Sequence, residues 1–189
     1  MHEPTQTAVI IPVGAAEAAV SKHRIRLDLA ASWGVPAHVT VVFPFLPPSE
    51  VDHDVVSRLA GVFAAASTFV CSFETCEWFG DDVLWLAPDR DQQFRDLTVR
   101  VVSEFPDYPP YGGQFDDVVP HLTVGESQYG TVAELRAAAA DVSSQLPIAA
   151  RIDHALLVAG TDRPGTWHTL ARLPLGAASR ASVVRSDCG

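Results

Sequence analysis

Two tripeptides of one form stand in apolar surroundings, His38-Val39-Thr40 and His121-Leu122-Thr123. Their flanks, residues 36–43 and 118–125, read as strands, so His and Thr share one face while Val39 or Leu122 takes the other. Each copy therefore presents an imidazole and a hydroxyl to the same surface. A lone histidine in a strand is usually structural, but a repeated His, aliphatic, Thr pattern asks for another explanation. With an unperturbed pKa near 6.5, one imidazole can accept a proton while a second donates one, which is acid-base chemistry without a metal. Two hydroxyls beside them suit the non-bridging oxygens of a phosphodiester.

The elements that must position these residues follow from the apolar pattern. Residues 8–13, closed by Gly14, predict a buried first strand. Residues 15–29 predict a helix, although 23–29 also fits a period of two, and Gly34-Val35-Pro36 then breaks the pattern ahead of the first motif. Ser49 is a suitable N-cap, with Asp52 three residues on, for an amphipathic helix on Val51, Val55, Leu59, Val62 and Phe63. Residues 68–75 and 83–87 predict a hairpin turning near Gly80-Asp81. Residues 91–105 form a second amphipathic helix, with Phe94, Leu97, Val101 and Phe105 on its stripe, and residues 107–117 a Pro- and Gly-rich loop. Thr131 and Glu134 match a capping box that opens a helix to about residue 146. Residues 148–159 and 166–173 make a final pair of strands, and residues 176–189 are expected to be a disordered tail.

Motif strand, helix and hairpin thus occur twice, beginning at residues 38 and 121, a separation too large for a solenoid unit. Two lobes related by a pseudo-two-fold would set the motif strands side by side and gather all four side chains in one cleft. The chain is expected to form a single bilobal domain over residues 1–175, with strand hairpins, helices and a central cleft.

Composition narrows the partners. The 189 residues carry 13 Lys+Arg against 23 Asp+Glu, a net charge of −10, which opposes binding to long nucleic acid but allows a short or terminal phosphate. Lys22 is the one lysine, so the cationic groups are otherwise arginines, suited to bidentate contact with phosphate. Cys71, Cys76 and Cys188 form no CxxC pair, and no signal pattern opens the chain, which points to a reducing, cytoplasmic setting. Cys71 and Cys76 are expected to act as small apolar groups. No apolar run reaches the ~20 residues of a membrane span, and a monomer is expected.

The two motifs, within Gly34-Val35-Pro36-Ala37-His38-Val39-Thr40, followed by Phe43-Pro44-Phe45, and within Val118-Val119-Pro120-His121-Leu122-Thr123, resemble the 2H phosphoesterase superfamily. That superfamily includes 2′-5′ RNA ligases and RNA 2′,3′-cyclic phosphodiesterases, and the resemblance covers about residues 8–175. It implies the bilobal α+β fold, metal-independent phosphoester chemistry with no cofactor, and His38, Thr40, His121 and Thr123 as the active-site quartet. It further implies a small nucleotide or an RNA terminus with a cyclic phosphate as substrate, hydrolysed by the two histidines, with ligation as the reverse reaction. By that analogy His121 is the base that activates water and His38 the acid that protonates the leaving ribose oxygen, and the roles exchange in the reverse, ligating direction.

Tyr111, Phe43, Phe115 and Trp33 are candidate surfaces for a stacked base, and Arg24 is a candidate phosphate contact. Against these stand plainer readings: Phe43 and Phe45 as core, and Arg24 as a solvated helix residue. A metal centre of Asp153 and His154 with Asp116 and Asp117 has no HxH or HExxH spacing behind it, so no metal ligands are assigned. The rival from another class is a non-catalytic module that binds a nucleotide or phosphate in the same cleft.

Overall fold

A computed structural model of the chain describes residues 3–114 and 118–176. Phe115, Asp116, Asp117 and all but the first residue of the expected tail lie outside the described residues. The strands are β1 (Gln6–Pro12), β2 (His38–Val42), β3 (Phe69–Phe79), β4 (Val83–Pro88), β5 (Leu122–Glu126), β6 (Ile148–Ile152), β7 (His154–Gly160) and β8 (His168–Pro174). The helices are α1 (Glu17–Leu27), α2 (Leu29–Trp33), α3 (His53–Ala64), α4 (Asp91–Glu104) and α5 (Val132–Ser143). Two four-stranded antiparallel sheets result, in the orders β2-β1-β7-β8 and β5-β4-β3-β6. The α+β class and the two-lobed sheet architecture are as expected.

The lobes are not consecutive halves of the chain. The hairpin after the first motif, β3-β4, joins the sheet of the second motif, and β7-β8 joins the sheet of the first. Helices cross in the same way: α1, ahead of the first motif, packs on β5, and α4, ahead of the second, packs on β2. Each motif strand is the edge of its sheet, and the two approach to within 8 Å between Cα atoms.

Register reveals how closely the two halves repeat. Thr40 lies opposite Ile10, Val41 has no partner, and Val42 lies opposite Val9. In the other sheet Thr123 lies opposite Trp85, Val124 has no partner, and Gly125 lies opposite Leu84. Both edge strands therefore bulge at the residue after the motif threonine, which bends and twists each strand at an equivalent point. Edge positions tolerate such bulges because only one neighbour has to be matched.

A single core runs through both sheets, drawing on Val9, Ile11, Val39 and Val41 from one and Leu84, Leu86, Leu122 and Val124 from the other. Strand β1 is buried on both faces, as its unbroken apolar run predicts. Its second face, Ala8 and Ile10, belongs to a smaller cluster with Val35, Val158 and Trp167.

Four sequence expectations need correction. Asp52, rather than Ser49, caps α3, accepting 2.9 Å from the Val55 amide, while residues 48–50 form a separate 3-10 turn. The helix from residue 15 stops at Leu27, because Asp28 is extended and its carboxylate caps a second, short helix, α2. The period-two reading of residues 23–29 does not hold, since residues 17–27 are helical with Val20, Arg24 and Leu27 on the buried side. Residues 148–159 are two strands in different sheets, separated at Asp153; an apolar run conceals a change of sheet when both pieces are buried.

The contact of α1 with β5 leaves no room at Gly125, where an added Cβ would lie 2.7 Å from Leu27 Cβ and 2.8 Å from Leu135 Cδ2. Gly125→Ala is expected to cost about 1–3 kcal/mol, the usual range for overpacking. The check is the urea midpoint, which should fall without a change in slope.

Candidate active site

The motif side chains alternate as predicted. His38, Thr40, His121 and Thr123 are half-buried, whereas Val39, Val41, Leu122 and Val124 are fully buried in the core. His38 opens β2, and His121 sits one residue ahead of β5. The His and Thr side chains therefore occupy the face of each sheet that the core does not use.

Both imidazoles are held by the same bond. His38 Nδ1 lies 2.7 Å from the Pro36 carbonyl and His121 Nδ1 lies 2.7 Å from the Val119 carbonyl, in each case two residues back. A carbonyl only accepts, so Nδ1 carries the proton and the neutral ring keeps Nε2 as its basic nitrogen. Desolvation lowers both pKa values below the usual 6.5. His38 is pushed down to about 3, by burial first and then by the positive charge of Arg24, with His121 adding a smaller effect. His121 therefore lies within electrostatic range of His38.

Tyr111 reaches this site through strain. It is the one described non-glycine residue with positive φ (φ 53°, ψ 30°), a backbone state that costs an L residue roughly 1–2 kcal/mol. Two bonds hold it there: its amide donates 2.7 Å to the Phe43 carbonyl, and its hydroxyl shares a hydrogen bond with Thr40. Left-handed strain maintained by local bonds is typical of functional positions.

Beside His38 and Thr40 is a cavity of about 90 Å³, walled by Trp33, Phe43 and Trp167 and floored by Ile10, Val35 and Val158. Trp33 and Trp167 stack with centroids 5.9 Å apart and planes within 7°, and Phe43 leans on Trp167 at 6.1 Å. Among the described residues, two aromatic rings occupy the equivalent place beside His121. There Trp85 occupies the position opposite the motif threonine that Ile10 holds in the other sheet, and Phe79 stacks on it at 4.7 Å. Both rings meet His121, Phe79 edge-on at 5.1 Å and Trp85 at 5.9 Å. The frame is symmetric while its aromatic lining is not.

Of the candidates named from sequence, His38, Thr40, Phe43 and Trp33 line one cavity, and Tyr111 joins them through Thr40. Phe45 is core, packed on Phe105 and Tyr108. Arg24 is neither solvated nor open to a ligand; it is buried and bonded to Asp28 and the Val35 carbonyl. Trp167, Phe79 and Trp85 belong to the site although the sequence pattern does not single them out. A signal for Trp167 exists in Gly160, where a Cβ would lie 2.4 Å from the indole, so the strand must be bare beneath the ring. Asp153 and His154 bond to each other and lie near Arg172, and among the described residues no group of three or more His, Cys, Asp or Glu is placed to hold a metal ion. Burial pushes the Cys71 thiol up to about 12, which removes it as a nucleophile at neutral pH.

A family model described as the 2′-5′ RNA ligase superfamily matches residues 12–163, which include both motifs. The chain belongs to this superfamily. Solved structures agree at the level of the 2H phosphoesterase fold. Escherichia coli LigT complexed with 3′-AMP is 17% identical, with 92% of this chain and 99% of that chain covered and a TM-score of 0.57. The protein TT0787 of Thermus thermophilus is 12% identical over 91% of this chain and 98% of that chain, with a TM-score of 0.59. LigT complexed with NADP+ is 18% identical over 93% and 99%, with a TM-score of 0.52. No curated protein matches this chain. In this superfamily member, no described helix is long and apolar enough to cross a membrane.

The lowered histidine pKa values make stability depend on acid. Between about 3 and 6.5 the unfolded chain binds a proton at His38 that the folded chain refuses, so stability rises with pH through this window and is complete above it. His121 acts in the same direction. His38→Gln should therefore lose less stability than the parent between neutral pH and pH 4, measured as the pH dependence of the urea midpoint.

Proposed function

We propose that the chain is a phosphodiesterase that opens a 2′,3′-cyclic phosphate or a related small nucleotide phosphodiester by two-histidine acid-base catalysis. The observation that carries this reading is the matched pair of imidazoles, each with Nδ1 tied to the carbonyl two residues back and Nε2 left for chemistry. In the reaction a water oxygen attacks phosphorus as one Nε2 takes its proton. The P–O bond to the ribose breaks, and the other ring, protonated, gives its proton to the departing oxygen. The product is a nucleotide with a phosphomonoester, and the two rings exchange the net proton with solvent.

Thr40 and Thr123 donate to the non-bridging oxygens, whose charge grows in the transition state. Tyr111 orients Thr40 for this, being bonded to it. A nucleobase rests against Trp33, Phe43 and Trp167, on the side where Ile10 leaves space, and not on the side that Trp85 fills. Base-aromatic stacking contributes about 1–3 kcal/mol and tolerates different bases. The net charge of −10 favours a terminal or small substrate over a long RNA.

The test is turnover of 2′,3′-cyclic mononucleotides and 2′,5′-linked dinucleotides followed by phosphorus NMR. His38→Ala and His121→Ala should each lower kcat by about 10²–10⁴-fold, the usual weight of one acid or base, and the parent should keep its activity in EDTA. Full activity in either variant overturns the reading. Binding without product by the parent points instead to a nucleotide-binding module.

A further inference from the structure

Three residues ahead of each motif histidine, a backbone carbonyl receives an arginine. Arg24 Nη1 of α1 donates to Val35 O at 3.4 Å, and Arg95 Nη1 of α4 donates to Val118 O at 3.0 Å. Val35 precedes His38, and Val118 precedes His121, by the same number of residues. Each arginine is anchored by an aspartate one turn away on its helix register: Arg24 Nε to Asp28 at 2.9 Å, and Arg95 Nε to Asp91 at 2.9 Å. The next carbonyl in each segment, Pro36 or Val119, is the one that accepts the histidine Nδ1 proton. The device repeats in both halves although the two helices pack on opposite motif strands.

We propose that Arg24 and Arg95 are paired positioning residues that fix the two histidines, and that the buried charge of Arg24 keeps His38 the proton acceptor and His121 the donor. A fork donating to one peptide oxygen while held by a carboxylate restricts the plane of the following peptide. That plane sets the ring orientation and tautomer of the histidine, and misplacing a reacting group by about 1 Å can cost ~10²-fold in rate.

The pairs are unequal. Arg24 and Asp28 side chains are each 3% exposed, whereas Arg95 is 26% and Asp91 51% exposed, so solvent screens the second charge and not the first. Among the described residues, the charged and titratable groups around His38 are Arg24 with its partner Asp28, Glu17 bonded to the Ala37 amide, His121, and Tyr111 on Thr40. Of these Arg24 has the largest effect on His38, and it opposes a proton there. Among the described residues no buried cation stands beside His121 as Arg24 does beside His38, so in a phosphate complex His121 is the ring protonated first. In the step proposed above, His38 Nε2 then takes the water proton and His121 supplies the proton to the ribose oxygen. This exchanges the roles that family analogy assigns.

The inference rests on the phosphodiesterase reading, but its test also has a readout without turnover. Nitrogen-15 NMR of the imidazoles in the full chain reports tautomer and titration midpoint with no substrate present. Arg95→Ala should mix the His121 tautomers, leave the His38 midpoint unchanged and lower kcat about 10-fold with KM within about twofold; Arg95→Lys should recover part of the loss. Arg24→Gln with Asp28→Asn, which neutralises the pair together, should raise the His38 midpoint by about one pH unit or more and move the acid limb of the kcat profile with it. If that double variant does not fold, Arg24→Lys should loosen the His38 tautomer while its midpoint stays low. Unchanged ring shifts in folded variants overturn the positioning role, whether or not the parent turns over. Absent turnover with ring shifts that respond as described overturns only the phosphodiesterase reading.

Discussion

Everything about the cleft depends on two short hydrogen bonds, His38 Nδ1 to Pro36 O and His121 Nδ1 to Val119 O, each 2.7 Å. Each is worth only about 0.5–1.5 kcal/mol in net stability. Their importance is directional, since they decide which ring nitrogen is basic and which way it points. A bond two residues back along the same chain is local, and it can form only if the segment before the histidine has one shape. That segment is held at Ala37 by the Glu17 carboxylate and the Val13 amide in the first copy, and at Val118 by Arg95 in the second. The fold beyond these segments serves to bring two such local structures together.

It does so by exchange. Each motif contributes its edge strand to one sheet and its hairpin to the other, and the helix ahead of each motif lies on the strand of its counterpart. Neither half can bury its apolar face alone, which is why one core runs through both sheets. The matching bulges after Thr40 and Thr123 then twist both edges alike. Within this symmetric frame a few side chains differ. Ile10 stands where the other sheet has Trp85, and Arg24 is buried where Arg95 is partly exposed; deeper burial, with the charge of Arg24 added, holds the His38 pKa low. A frame built by repetition thus carries an asymmetric site, as a reaction with an acid and a base on opposite sides of one phosphate requires.

Much of this is legible in the sequence because it is local. The alternation of His and Thr with buried Val39 and Leu122, the capping box of Thr131 and Glu134, and the amphipathic stripes of α3 and α4 all follow from side-chain periodicity. What escapes such a reading depends on contacts between distant segments. The turn of the chain at Asp153 from one sheet to the other lies inside an apolar run that reads as one strand. Trp167 enters the site only because β8 folds back beside β7, with Gly160 bare beneath it. Arg24 reads as a surface residue, yet it stands between Val20 and Leu27 on the buried stripe of α1, which is the available sign that its charge is used inside the protein.

The central claim is that both motifs act on one phosphate. Titrating the nitrogen-15 labelled chain with a nucleoside 3′-monophosphate, while following Nε2 of His38 and His121, tests it most directly. Both resonances should move along a single saturation curve with one dissociation constant, and His121 should take on the shift of a protonated ring before His38 does. Response of only one histidine, or two curves with separate dissociation constants, would contradict a shared phosphate.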